Sequence, residues 1–191
     1  MNKIIGILGM QGAIAEHQEI LIQIPHTKTR IVKTAKDLDC IDGLILPGGE
    51  STAIGKLLDY FSLKEILRQK IISGLPVFGT CAGLILLAKN IENQTNTHLA
   101  TMDITVKRNG YGSQLDSFST NLLIPTIDKN MPIPLVFIRA PYITKTDKDV
   151  QILATLDNKI IAARQKNMLV SSFHPELTCD LRFHQYFLSM I

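Results

Sequence analysis

Short apolar segments alternate with amphipathic ones over the first half of the chain, and this alternation restricts the possible folds more than any other feature. The apolar segments are too short for helices and are hydrophobic on both faces, which is typical of strands buried inside a parallel sheet. The intervening segments carry hydrophobic residues at helical spacing. Strands are predicted at residues 3–8, 29–33, 43–46 and 76–79, and helices at residues 13–24, 63–74 and 82–89.

One helix start carries a specific signal. Ser62 and Glu65 have the spacing of a capping box, with serine at the N-cap and glutamate three residues later. Gly74 and Pro76 follow the last apolar position and predict the end of this helix.

Beyond residue 100 the pattern becomes rich in strands. These are predicted at residues 103–108, 117–124, 135–138, 150–156, 160–164 and 168–173, before a closing helix at 180–189. Together the two halves predict an α/β fold with three layers, an open sheet with a parallel centre and an antiparallel extension. The length of 191 residues fits a single domain spanning residues 1–191. In such sheets the active site lies at the carboxyl ends of the parallel strands.

Composition and charge exclude several classes of function. The 20 basic and 17 acidic residues leave a net charge of +3, too small to indicate nucleic-acid binding. No apolar run approaches the roughly 18 residues of a membrane span, and the start lacks the features of a signal peptide. The three cysteines form no C-x-x-C pair, so neither a disulfide framework nor a structural zinc site is expected. A cytoplasmic or equivalent reducing location is therefore expected.

Cys81 lies in the strongest local motif. The segment Gly79-Thr80-Cys81-Ala82-Gly83 follows a predicted strand and precedes a predicted helix, the context of a nucleophile elbow. The helix N-terminus favours the thiolate, and the Ala82 N–H is placed to donate to an oxyanion. The alternative is a buried, glycine-flanked cysteine with a packing role, which is the expected role of Cys40 and Cys179.

His174 and Glu176 supply the other groups that a cysteine nucleophile requires. The histidine ends an apolar strand, and in an extended chain a residue two positions later faces the same way. The Glu176 carboxylate can then hold one imidazole nitrogen while the other faces Cys81. The remaining histidines, His17, His26, His98 and His184, are expected to be solvated or packed.

Two further kinds of segment are candidates for ligand binding. Pro47-Gly48-Gly49-Glu50-Ser51 follows a strand and allows close backbone approach to a ligand, or it is an ordinary turn. It is not a phosphate-binding Walker loop, and the glycines at positions 6, 9 and 12 do not have the dinucleotide-binding spacing. Arg108 and Arg139, near predicted strand ends, suit a carboxylate ligand or a structural ion pair.

Several segments together resemble one family. They are GILGMQGAIAEH, LILPGGEST, FGTCAGLILLA, RNGYGSQLDSF, VFIRAP and SFHPELTCDLRFHQYF, which run from residue 6 to residue 187. GTCAG and HPE are shared by many class I glutamine amidotransferases. The combination with QGA, GGES, RNxYG and FIRAP resembles the glutaminase subunit of pyridoxal 5′-phosphate synthase.

The resemblance implies a class I amidotransferase-like, flavodoxin-like fold and the hydrolysis of L-glutamine to glutamate and ammonia. It also implies a hetero-oligomeric complex with a (β/α)₈-barrel synthase that uses the ammonia, and no cofactor or metal on this chain. The implied triad is Cys81, His174 and Glu176. The implied glutamine-binding residues are Gly49, Glu50, Ser51, Arg108, Ile138 and Arg139, and the implied oxyanion donors are Gly12 and Ala82. Ser113 departs from the arginine common in the family, without affecting the triad.

Two other functional classes are compatible with the elbow. A stand-alone cysteine hydrolase or peptidase could use it, although Glu50, Arg108 and Arg139 suit a free amino acid better. A catalytically inactive regulatory subunit is disfavoured because all three triad residue types are present. We also expect the isolated chain to be a poor glutaminase until the synthase subunit fixes the Gln11–Gly12 peptide, the second oxyanion donor.

Overall fold

The computed structural model describes residues 2–110 and 117–191. Tyr111, Gly112 and Ser113, part of the segment that follows Arg108, lie outside the described residues. The helices are α1 (Ile14–Leu21), α2 (Ser51–Tyr60), α3 (Lys64–Ile72), α4 (Ala82–Leu87) and α5 (Arg182–Leu188), with 3₁₀ turns at Ala35–Cys40 and Pro175–Leu177. The strands are β1 (Lys3–Leu8), β2 (Thr27–Val32), β3 (Gly43–Leu46), β4 (Val77–Thr80), β5 (Ala88–Ile91), β6 (Met102–Lys107), β7 (Ser117–Leu122), β8 (Ile133–Ile138), β9 (Tyr142–Thr146), β10 (Gln151–Leu156), β11 (Lys159–Gln165) and β12 (Met168–Ser171).

The central sheet has the order β2-β1-β3-β4-β12-β11-β9-β6-β5, and β10 pairs with β11 at the side. The pairs from β2 to β12 are parallel, whereas β12, β11, β9 and β6 pair antiparallel. The sheet thus has the predicted parallel centre and antiparallel extension. The predicted three-layer α/β fold class is confirmed.

Alternation along the buried strands divides the core between the two faces of the sheet. On β3, Leu44 and Leu46 pack into one hydrophobic cluster and Ile45 into the other, and all three are fully buried. The first cluster includes residues of α2, α3 and α4, and the second includes residues of α1, α5 and the β7–β8 pair. Burial on both faces is the reason that these short strands have no polar side.

Three parts of the structure differ from the sequence prediction. The helix predicted at residues 82–89 ends at Leu87, and the chain continues as β5, which pairs with β6. β9 was not predicted at all. β7 and β8 form a separate two-stranded sheet instead of joining the extension.

The predicted capping box at Ser62 and Glu65 is wrong. Ser62 has a φ of 53°, and the N-cap of α3 is Leu63, without a side-chain cap hydrogen bond. Ser62 instead closes the preceding helix α2, since its N–H donates to the Asp59 carbonyl and the next N–H donates to the Leu58 carbonyl. A residue in this left-handed conformation cannot adopt the extended backbone that an N-cap requires.

Within residues 2–110 and 117–191, no helix has the length and apolarity needed to cross a membrane.

Candidate active site

The parallel strands β1, β3, β4 and β12 all end at one edge of the sheet, and the candidate site is built there. Cys81 follows β4 directly and precedes α4, with φ 47° and ψ −97°. Positive φ is uncommon and strained for a residue with a side chain. The Cys81 N–H donates to the Ser171 carbonyl of β12 over 2.8 Å, which helps to hold this conformation. The result is a sharp strand-to-helix turn with the thiol at the sheet edge.

The glycines on either side of Cys81 are required by close backbone packing. A Cβ at Gly79 would lie 2.6 Å from the Gly83 carbonyl oxygen, and a Cβ at Gly83 would lie 2.2 Å from the Leu46 carbonyl oxygen. Both distances are far below van der Waals contact. The G-x-C-x-G spacing therefore allows α4 to start directly against β3 and β4.

His174 follows β12 and is 6% exposed. Its backbone N–H donates to the Val136 carbonyl of β8 over 2.8 Å, and its ring nitrogen Nδ1 lies 2.7 Å from Glu176 Oε1. With the carboxylate as acceptor, Nδ1 carries the proton. The other ring nitrogen, Nε2, has no hydrogen-bond partner among the described residues. It is therefore available to exchange a proton with a neighbouring group.

The pKa of His174 is raised to about 10. Burial alone lowers it, but the interactions of the ring with Cys81 and Glu176 outweigh burial. Cys81 and the Glu176 carboxylate thus act on the imidazole from two sides.

Glu176 lies in the 3₁₀ turn Pro175–Leu177 and is 5% exposed. The predicted contact with His174 is present, but a tight turn makes it, in place of the extended chain that the sequence suggested. Burial raises the pKa of the Glu176 carboxyl, while interactions with His17 and His174, including the His174 hydrogen bond, lower it below its usual value. The carboxylate is therefore held in the ionised form that orients His174.

Glu50 has two roles at the start of α2. Its carboxylate accepts hydrogen bonds from the N–H groups of Thr52 at 3.1 Å and Ala53 at 2.6 Å, so it caps the helix. One guanidinium nitrogen of Arg108 donates to a carboxylate oxygen of Glu50 over 3.0 Å, and another donates to the Thr52 hydroxyl. Glu50 and Arg108 thus form an ion pair, and both charges face the same cavity.

Two loops meet in close backbone contact beside Cys81. Gly12 has a φ of 117°, and a Cβ there would lie 1.8 Å from the Gly48 carbonyl oxygen. The Ala13 N–H donates to that same carbonyl over 3.0 Å, and the Gln11 side-chain oxygen accepts from the Glu50 N–H over 2.8 Å. The loop after β1 is therefore locked to the loop after β3.

A cavity of about 640 Å³ joins these elements. It is lined by every sequence-predicted site residue except Glu176, which lies behind His174. Ser51 contributes a buried hydroxyl without a hydrogen-bond partner among the described residues, and Arg139 reaches the cavity from a backbone with φ 44° after β8. The other lining residues, which were not among the predicted site residues, are Ala13, Glu16, Gly48, Ile85, Asn109, Pro141 and Leu177.

The sequence predicted His17 and His184 only as solvated or packed, and the structure places both in the core behind the site. Both are fully buried, and His17 Nε2 lies 3.6 Å from Glu176 Oε2. A histidine three residues after the start of α1 carries no local signal for such a contact, since Glu176 is far away in sequence.

Comparison with known proteins places the chain among glutamine amidotransferases. The sequence profile of the SNO glutamine amidotransferase family matches residues 7–191. This chain belongs to the SNO glutamine amidotransferase family. The SNO-family chain is 53% identical over 189 residues to the pyridoxal 5′-phosphate synthase subunit PdxT of Ruminiclostridium cellulolyticum, covering 99% of this chain and 100% of the relative. It is 54% identical to PdxT of Carboxydothermus hydrogenoformans, and the match covers 98% of this chain and 97% of that relative.

A solved structure agrees with these relatives. A crystal structure of a glutamine amidotransferase superposes on the SNO-family chain with a TM-score of 0.90 at 38% identity, covering 97% of each chain. The family and the amidotransferase fold predicted from the sequence motifs are confirmed, and the chain is an enzyme of the glutamine amidotransferase class.

Proposed function

We propose that this chain hydrolyses L-glutamine to L-glutamate and ammonia through a γ-glutamyl thioester on Cys81, as the glutaminase subunit of a pyridoxal 5′-phosphate synthase. The observation that carries the proposal is the elbow of Cys81 facing the same cavity as His174, with Glu176 bonded to His174 from behind. The PdxT relatives, which match over almost their whole length, support the same assignment.

The first half of the reaction forms the thioester. His174 Nε2 takes the proton of the Cys81 thiol, and the thiolate attacks the side-chain amide carbon of glutamine. The amide oxygen becomes an oxyanion, for which Ala82 N–H and Gly12 N–H are the proposed donors. When the intermediate collapses, His174 gives its proton to the amide nitrogen, and ammonia leaves.

The second half releases glutamate. His174 removes a proton from water, the hydroxide attacks the thioester carbon, and the C–S bond breaks with return of the proton to Cys81. Glu176 stays ionised throughout and holds the imidazole in the tautomer with Nδ1–H.

The charges of the cavity fit a free amino acid. Glu50 suits the α-ammonium group of glutamine, and Arg108 and Arg139 suit its α-carboxylate. Gly49, Ser51 and Ile138 complete the proposed glutamine-binding wall. The ammonia would pass to a (β/α)₈-barrel synthase subunit, the proposed partner.

The proposal is tested by ammonia release from glutamine with the synthase subunit of a relative present. Cys81→Ala should abolish release while circular dichroism stays unchanged, since the thiolate is the attacking group. Cys40→Ala and Cys179→Ala are the controls. Both cysteines are exposed, which differs from the buried packing role expected from the sequence, and both lie outside the cavity, so these variants should keep most of the activity. Full activity of Cys81→Ala would refute the mechanism, and cleavage of peptides in preference to glutamine would favour the cysteine hydrolase alternative.

A further inference from the structure

His17 lies on α1, fully buried between Glu176 and α5. Its Nε2 is 3.6 Å from Glu176 Oε2 and 3.2 Å from the hydroxyl of Thr80, the residue before Cys81. Its Nδ1 is 3.0 Å from Nε2 of His184. This one side chain thus contacts both the acidic member of the triad and the strand that carries the nucleophile.

The unpaired atoms of this cluster determine the direction of its hydrogen bonds. His184 Nδ1 has no hydrogen-bond partner among the described residues, so a proton there would be a buried N–H without an acceptor. The proton of His184 is better placed on Nε2, from which it is donated to His17 Nδ1. His17 then carries its own proton on Nε2, directed at Thr80 and Glu176.

The second oxygen of Glu176 requires such a donor. His174 occupies Oε1, while Oε2 is buried without a hydrogen-bond partner within 3.5 Å among the residues described. A buried carboxylate with one oxygen unsatisfied is costly. The His17 N–H, just beyond this distance, supplies a polar contact on that side.

We propose that His17 is a positioning residue of the triad, whose Nε2–H, oriented by His184, holds the Glu176 carboxylate ionised and aligned behind His174. The inference rests on the proposed function, because it assigns a role within the same triad. His17 touches no substrate and acts only through Glu176.

Electrostatics agree with this arrangement. The pKa of His17 is lowered, mainly by burial and by the His174 charge, against the opposing effect of Glu176 and of Glu16 on its own helix. Burial and His17 also keep the pKa of His184 well below its usual value. The two histidines are therefore neutral, as the donor chain requires, and the charged groups facing the cluster are Glu176, His174 and Glu16.

The test is the pH dependence of Cys81 alkylation by iodoacetamide in the full chain, with Cys40→Ser and Cys179→Ser removing the two exposed thiols. His17→Leu removes the donor, and His17→Asn keeps the His184 contact but is too short to reach Glu176. His17→Gln places an amide N–H near the Nε2 position. His98→Leu is the matched control, a partly buried histidine that packs on Gly55 of α2.

The acid limb of the alkylation profile is the pH range in which the reaction of Cys81 is lost on acidification. We expect His17→Leu and His17→Asn to move this limb up by about one pH unit, because Glu176 protonates at higher pH without its donor and then no longer supports His174 beside Cys81. His17→Gln should restore the wild-type limb, and His98→Leu should leave it unchanged. In the ammonia-release assay with the synthase subunit, His17→Leu should lower kcat about tenfold to a hundredfold with little change in KM.

A wild-type limb in folded His17→Asn or His17→Leu would overturn the proposal, as would an equal shift in His98→Leu. A shift in the His17 variants alone supports it. Failure of the proposed function has a separate signature, namely wild-type chain that is alkylated at Cys81 but releases no ammonia from glutamine.

Discussion

At the scale of single residues, the candidate site requires a glycine at position 48, because a side chain there would collide with His174. Gly48 lies against the His174 ring, and a Cβ there would be 2.3 Å from Cε1 and 2.9 Å from Nδ1 of the imidazole. The ring occupies the space that any other residue type would need. Gly48 is therefore as closely tied to the position of His174 as Glu176 is.

Gly48→Ala should lower kcat of glutamine hydrolysis by about a hundredfold, because a displacement of about 1 Å in a reacting group has a cost of this size. Gly74→Ala is the control. Gly74 also has positive φ, 108°, but its Cβ would meet nothing within 4 Å, so this variant loses about 1 kcal/mol of stability and keeps its activity. Thermal unfolding and steady-state ammonia release measure the two effects. Equal activity of Gly48→Ala and wild type would mean that the His174 ring is free to move.

At the scale of elements, the loop between β1 and α1 connects several parts of the site. It contains Gly12, one proposed oxyanion donor, and leads into the helix that carries His17. Gln11 and Ala13 bond it to the loop after β3. A change in this loop can therefore affect the oxyanion site and the triad together.

Gly12→Val should remove activation by the synthase subunit. The Gly12 backbone has φ 117°, and a Cβ there would lie 1.8 Å from the Gly48 carbonyl oxygen, so valine cannot keep the present loop conformation. The loss of one oxyanion donor costs about 10²–10³ in rate. Ammonia release with and without the synthase subunit measures it, and alkylation of Cys81 checks that the elbow remains. Normal activation of Gly12→Val would exclude this loop as the switch.

At the scale of the whole molecule, the cavity edge is formed by loops from both halves of the chain, and this edge is the expected docking side of the synthase. We expect the isolated chain to release ammonia about 10²–10³ times more slowly than the complex, since docking would stabilise the productive Gln11–Gly12 peptide. Steady-state ammonia release at saturating glutamine, with and without the barrel subunit, measures the ratio. An isolated chain that already works at the rate of the complex would contradict the prediction.

The sequence by itself determined the local backbone and the residue types of the site. The elbow could be read from G-x-C-x-G after an apolar strand, since a sharp strand-to-helix turn needs glycines there whatever the rest of the fold. The parallel centre followed from segments apolar on both faces. The pairing of His174 with Glu176 was also predictable, because the two residues are only two positions apart.

Only the tertiary structure decided which distant residues meet. His17 and Glu176 are joined by packing of α1 against the 3₁₀ turn, a contact that no local pattern encodes. Ser62 fits a capping box in sequence, yet the end of α2 requires it in a left-handed conformation. β5 and β9 are strands because each forms backbone hydrogen bonds with one of the two edges of β6. Local sequence restricts φ, ψ and the buried face of each segment, whereas pairing between strands and contacts in the core depend on what the folded chain brings alongside.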